Sequence, residues 1–191
     1  MRIISGNLRG RKLSGYDIEG TRPTMDKVKE SMFAMIQFEI PNSVTLDLFA
    51  GSGSLGLEAI SNGAKHCYFV DRNFKCTQII AKDVQTFGIQ DKATILTMTY
   101  QKALIFFKDK NVQFDLVFLD PPYKDLVIAD SIQSMKKLNL LKPGALIVCE
   151  MEQNYEQIND DDFKLQKTRQ YGHKTVLIYQ YYQNNMSKNI S

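Results

Sequence analysis

Leu46-Asp47-Leu48-Phe49-Ala50-Gly51-Ser52-Gly53-Ser54-Leu55-Gly56 begins apolar, breaks into glycines and resumes as a stretch with helical character. Val44–Phe49 is too short for a helix and has the continuous apolar character of a strand buried on both faces. Gly51 and Gly53 permit a tight turn and a close approach to a ligand, which side chains there would block. Ser54–Ser61 reads as the following helix, stopped by Asn62-Gly63. In open α/β sheets this strand–turn–helix order exposes backbone N–H groups beyond the C-terminal end of a strand, where ligands bind.

Downstream the alternation continues. His66–Asp71 is predicted as a strand, Phe74–Phe87 as a helix closed by Gly88, Thr94–Thr97 as a strand and Gln101–Lys108 as a helix. Phe114–Leu119 is strand-like, a helix is expected near Ile128–Lys137, and a Lys142-Pro143-Gly144 turn leads into a strand at Ala145–Glu150. Strands joined by crossover helices form a parallel, doubly wound sheet. The last two strand candidates, Phe163–Tyr171 and Thr175–Tyr182, are linked only through Gly172-His173-Lys174, which permits an antiparallel hairpin and nothing longer. A mostly parallel seven-stranded sheet ending in an antiparallel C-terminal hairpin is the α/β layout of the class I S-adenosylmethionine-dependent methyltransferase (Rossmann-like) fold.

Upstream, Thr24 is read as the N-cap of a helix running to about Phe38, with Val28, Met32, Met35 and Ile36 on one apolar face. Arg2–Asn7 and Lys12–Ser14 flank Leu8-Arg9-Gly10-Arg11 as a short hairpin or arm. The chain of 191 residues suits one domain, expected over 1–182 with the basic arm at 1–20 and a frayed tail at 183–191.

Composition narrows the function classes. A formal charge of +3 is small, yet residues 1–30 hold seven basic side chains against four acidic ones, and the rest of the chain holds 17 of each. Such asymmetry points to a polyanion, through Arg2, Arg9, Arg11, Lys12 and Arg22. No apolar run approaches the roughly 18 residues of a membrane span, and no signal peptide is visible. The three cysteines, Cys67, Cys76 and Cys149, lack metal-ligand spacing and suit a reducing cytoplasm, so neither disulfides nor a bound metal is expected. A monomer is expected. His66 is read as structural, His173 as a solvated or RNA-facing turn residue, and Phe106-Phe107 and Tyr179 to Tyr182 as core or sheet-face aromatics.

Two carboxylates frame the glycine turn. Asp71, at the end of the second strand, can accept both hydroxyls of a ribose. Gly51, Gly53 and Gly56 followed by this acid also match a dinucleotide fingerprint, so the turn alone leaves the cofactor open. Asp47 leans toward S-adenosylmethionine, because its carboxylate would bind an amino-acid ammonium and repel a pyrophosphate.

Asp120-Pro121-Pro122-Tyr123, directly after the fourth strand, supplies an acceptor site. An aromatic amine has its lone pair delocalised, so methylation requires acceptors that take its N–H hydrogens and hold the nitrogen in line. The Asp120 carboxylate and the Pro121 carbonyl provide these. Pro121 and Pro122 fix φ and remove competing donors. Tyr123 offers a face on which a base can stack.

With Met1–Leu13, Thr21-Arg22-Pro23-Thr24, Glu30, Phe33 and the Leu46–Gly53 stretch, this motif resembles the bacterial 16S ribosomal RNA guanine-N2 methyltransferases of the RsmD type. The similarity spans about residues 1–150 and weakens toward the final hairpin. The resemblance implies S-adenosylmethionine held by Thr24, Asp47, Phe49, Ala50, Gly51, Ser52, Gly53, Asp71, Arg72 and Asp120. It implies catalysis at Asp120, Pro121, Pro122 and Tyr123, and 16S rRNA, free or in a partly assembled small subunit, on the basic arm. One departure is Thr97-Met98-Thr99-Tyr100-Gln101, where relatives carry an Asp or Asn for adenine. Alternatives are a DNA or RNA adenine-N6 enzyme, a protein glutamine methyltransferase and a non-catalytic RNA-binding module. A cytosine-C5 enzyme is excluded, since no cysteine follows the proline.

Overall fold

The computed structural model describes residues 1–15, 23–121, 126–152 and 158–183. In order these form α1 (Pro23–Met35), β1 (Val44–Asp47), α2 (Ser54–Ser61), β2 (His66–Asp71), α3 (Phe74–Phe87), β3 (Ala93–Thr97) and α4 (Tyr100–Asp109). Then come β4 (Phe114–Leu119), α5 (Leu126–Lys137), β5 (Leu141–Glu152), β6 (Phe163–Tyr171) and β7 (Lys174–Tyr181). The strands make one sheet in the order β3-β2-β1-β4-β5-β7-β6. β1 to β5 pair in parallel, and β7 enters antiparallel between β5 and β6. This is the expected class I methyltransferase architecture.

Both sheet faces are covered. Leu116 and Phe118 of β4 and Val176 and Ile178 of β7 pack with Val28, Met32, Phe33 and Ile36 of the α1 region. Phe114, Val117 and Leu119 point the other way, against Ala103, Leu104 and Phe107 of α4 and Ile128 and Ile132 of α5. From Leu116 to Leu119 the alternation is the period-two pleat of a strand buried on both sides, and Phe114 lies across the register shift that breaks it. Phe107 and Tyr179 are core residues, as the sequence suggested. His66 Nε2 lies 2.9 Å from Thr94 Oγ1 and ties β2 to β3, a structural role.

Several boundaries shift by one or two residues from expectation, and three differences have a clear physical cause. α1 starts at Pro23, whose fixed φ suits the first turn, so Thr24 lies inside the helix rather than capping it. It ends at Met35, where successive tight turns bury both Ile36 and Ile40 and leave Phe38 86% exposed. Lys142-Pro143-Gly144 does not separate β5 from what precedes it. Leu141 already pairs with Phe114, and the register then jumps to Leu146 opposite Leu116, so the triplet bulges within one strand. Buried Leu141 returns the backbone to the sheet before the bend, and Gly144 supplies φ +85°.

Candidate functional site

The turn after β1 is held from beneath. Ala50 N–H donates to Val70 O at 2.9 Å and Gly53 N–H to Ala50 O at 2.6 Å, closing the loop against β2. Gly51 and Gly53 have φ of +53° and +76°, as a glycine turn requires. Their spatial roles differ from expectation. A Cβ on Gly51 meets open space, whereas one on Gly53 would lie 2.8 Å from the Ile80 side chain, so packing and not a ligand excludes it. Gly56 is more constrained still: its Cβ would lie 2.3 Å from Phe69 and 2.7 Å from Cys67 Sγ. That glycine lets α2 lie close on β2.

Asp47 is 2% exposed and its carboxylate accepts Gly56 N–H at 3.0 Å. Burial pushes this carboxyl up to about 7, opposed by the Gly56 bond and reinforced by the Asp120 and Asp71 carboxylates. Asp71 accepts Gly51 N–H at 2.8 Å through one oxygen and Asn73 N–H at 2.7 Å through the other. It therefore braces the glycine turn and the start of α3, and each oxygen keeps a lone pair for a further donor.

Beside these carboxylates opens a cavity of about 350 Å³ at the C-terminal ends of β1 to β4. Leu48, Phe49, Met98, Tyr100 and Val127 give it apolar walls, and Asp71, Arg72, Thr99, Gln101 and Pro121 its polar rim. The Phe49 and Tyr100 rings lie 5.6 Å apart, and Tyr100 OH donates to Asp130 at 2.9 Å, which fixes its ring. Asp47 and Asp120 are outside the wall of this cavity. The sequence pointed to Thr97–Gln101 for the adenine contact without choosing a residue, and Met98, Thr99, Tyr100 and Gln101 of that stretch line the cavity.

Asp120 follows the last, buried residue of β4. Its side chain is exposed to solvent at the mouth of the site. Desolvation and then the Glu150 carboxylate push its carboxyl up to about 7, and Lys174 pulls the other way. Glu150 and Lys174 form an ion pair, and neither was singled out from the sequence. Pro122, Tyr123 and Arg22 lie outside the described residues, as do 16–20 of the arm, the side chain of Thr24 and the tail from 184. Among the described residues no group of His, Cys, Asp and Glu could hold a metal, and no helix is long and apolar enough to cross a membrane.

The N-terminal arm is a small hairpin closed by an antiparallel bridge between Arg2 and Lys12. It is docked on the domain. Ile3 and Leu13 are buried among Leu57, Ile60, Ile80 and Val84. Glu58, 1% exposed, accepts the N–H groups of Ile4 and Ser5 and pairs with Lys29 at 3.0 Å. Asp83 accepts Ser14 N–H at 2.9 Å, and Lys29 donates to Arg2 O at 3.0 Å. Arg2, Arg9, Arg11 and Lys12 remain exposed on the outside. Glu58 was the legible signal here, an acid in the otherwise apolar Leu55–Ile60 run.

Residues 1–180 match the family described as Conserved hypothetical protein 95. The chain belongs to this family. Ribosomal RNA small subunit methyltransferase D of Haemophilus influenzae is 38% identical over 187 residues, covering 96% of this chain and 94% of its relative. A solved structure from Haemophilus influenzae shares 35% identity at a TM-score of 0.78, over 95% of this chain and 98% of that one. The family fold extends to an RNA methyltransferase of Salinibacter ruber solved with S-adenosyl-L-homocysteine. It has a TM-score of 0.67 and 15% identity over 89% of this chain and all of that one.

Proposed function

We propose that this chain transfers a methyl group from S-adenosylmethionine to the exocyclic N2 amine of a guanine in 16S rRNA. The observation that carries the reading is the convergence of Asp47, Asp71 and Asp120-Pro121 on the C-terminal edge of β1, β2 and β4, beside an apolar cavity. Relatives named as small-subunit rRNA methyltransferases support rRNA as the substrate.

The residues present fit the cofactor. A buried carboxylate pushed up to about 7 calls for a cation, which the amino-acid ammonium supplies to Asp47. Asp71 retains acceptor capacity for ribose hydroxyls, and Phe49, Met98 and Tyr100 form a slot for a flat heterocycle. Gly51, with open space above it, gives the backbone a close approach; Ala50, Ser52, Gly53, Arg72 and Thr24 are the remaining contacts that the family resemblance implies. When bound, the sulfonium supplies an electrophilic methyl group. Asp120 and the Pro121 carbonyl hold the two N–H hydrogens of the guanine amine and aim its lone pair, while Tyr123 stacks on the base. Proton loss follows methylation readily, so the protein supplies position and electrostatics more than a strong base.

Asp120→Ala is expected still to bind cofactor, weakened only by the loss of one contact, and to lose on the order of a hundredfold or more in turnover. Calorimetry and single-turnover methylation of small-subunit rRNA check this. Nucleoside mass spectrometry then reads the product; N6-methyladenine in place of N2-methylguanine would transfer the chemistry to another base.

A further inference from the structure

The count of charges along the chain hides a second cationic surface. From Phe163 to Gln183 there is no acid, but there are Lys164, Lys167, Arg169 and Lys174. The acids that balance them in the tally immediately precede them, at Asp160, Asp161 and Asp162. In space the two groups part. Asp160 and Asp162 pair with Lys136 of α5 at 2.7 and 2.8 Å. The cations of β6 turn to the opposite face, where α1 lies.

A bulge produces this segregation. Spacing 164, 167, 169 breaks the period of two and would send Lys164 to one face and the other two to the other. The register of β6 shifts between Leu165 and Lys167, so Lys164, Lys167 and Arg169 stand opposite Gln180, Ile178 and Val176. Ile178 and Val176 face α1, and all three cations therefore share that face. β6 is the sheet edge, and every residue from Lys164 to Gln170 is exposed. The partners along α1 are neutral: Lys167 donates to Met35 O at 2.6 Å and Arg169 to Ser31 Oγ at 3.3 Å. Among the described residues none of the three is paired with a carboxylate.

α1 connects this edge to the arm. On one side Lys29 binds Arg2 O, and on the other Ser31 and Met35 meet β6. β6 also runs toward the site, since its end at Tyr171 leads into the turn before Lys174, the partner of Glu150 beside Asp120.

We propose that Lys164, Lys167 and Arg169 form a second track for the RNA phosphate backbone, so that substrate straddles α1 between the arm and β6. This rests on the RNA methyltransferase reading above. Arginine and lysine on a strand edge that itself carries no acid fit a polyphosphate, although Glu30 of α1 and Glu39 beyond it are also exposed. The other known use of edge lysines is to prevent strand-to-strand aggregation.

The test is binding of in vitro transcribed small-subunit rRNA to full-length protein across a salt series, for wild type and for Lys164→Gln/Lys167→Gln/Arg169→Gln. Three lost phosphate contacts make the slope of log K against log salt shallower by about 2, at ~0.7 each. The loss of affinity between 50 and 200 mM salt then shrinks on the order of sixteenfold. Lys164→Arg/Lys167→Arg keeps the wild-type slope. Unchanged cofactor affinity and melting temperature show that the fold is intact. An unaltered slope overturns the proposal, whether the triple variant aggregates in light scattering, which marks edge protection, or loses only binding to assembled subunits, which marks a protein partner. If wild-type protein binds neither cofactor nor rRNA, the functional reading fails instead.

Discussion

Asp47 and Glu58 lie eleven positions apart, are both nearly fully buried, and are treated in opposite ways. Glu58 accepts two backbone N–H groups and the Ser5 hydroxyl and pairs with Lys29. Asp47 accepts one N–H, from Gly56, and faces two further carboxylates, so its carboxyl is pushed up to about 7. A buried charge is costly unless paired and hydrogen-bonded. Glu58 meets that condition within the chain and acts as a clasp for the arm. Among the described residues no cation pairs with Asp47, which agrees with the proposed role of binding the cofactor ammonium.

Breaking the clasp has the largest effect. Glu58→Ala leaves Lys29 buried without its carboxylate and orphans the Ile4 and Ser5 N–H groups, and is expected to destabilise by about 3–5 kcal/mol. Denaturant titration measures this; a loss below that of an ordinary surface change would mean that the arm docks through Ile3 and Leu13 alone.

Asp47→Asn has the opposite sign. A carboxyl raised in the folded state contributes stability below its ordinary value, near 3.8, and loses it as pH rises through about 7. Asn keeps an acceptor for Gly56 and removes the charge, so the variant is expected to be more stable at pH 8, on the order of 2 kcal/mol. That advantage vanishes at pH 4, and cofactor affinity falls relative to wild type at pH 8 but converges with it as pH drops toward 4. Thermal melts and calorimetry across pH check both halves. A variant less stable at pH 8 would show that Asp47 already has its cation.

The same carboxyl governs a pH dependence in the wild type. Only the carboxylate attracts an ammonium, so S-adenosylmethionine affinity is expected to rise up to about tenfold per unit below pH 7 and level off above it. Flat affinity from pH 5 to 8 would remove Asp47 from the cofactor site. The smallest effect belongs to the second clasp. Asp83→Asn weakens only the acceptance of Ser14 N–H and is expected to cost about 1 kcal/mol. Hydrogen exchange should then rise at Leu13 and Ser14 while Ile4 and Ser5 keep their protection.

Much of the framework was legible because it is local. The alternation of short apolar runs and helical stretches, the glycine turn and the short link before β7, two residues in the structure, each lie within one window of sequence. Asp120-Pro121 was legible for the same reason. Lys142-Pro143-Gly144 was misread because a local turn signal sits inside a strand whose pairing at Leu141 depends on Phe114. Gly53 and Gly56 were read as parts of a ligand loop, yet Ile80 and Phe69, distant in sequence, decide what those positions tolerate.

From the sequence alone came the fold class and the proposal of a site at the C-terminal ends of β1, β2 and β4 around the carboxylates Asp47, Asp71 and Asp120. Patterns of two and 3.6 residues and short motifs suffice for these. Tertiary structure decided which buried carboxylate is paired with a cation, which residues wall the cavity, and that the cations of β6 share a face with α1. Each depends on groups brought together across many residues, as Glu58 is to Ile4 across 54 positions. Burial and charge pairing are properties of that assembled neighbourhood, and no single stretch of chain contains them.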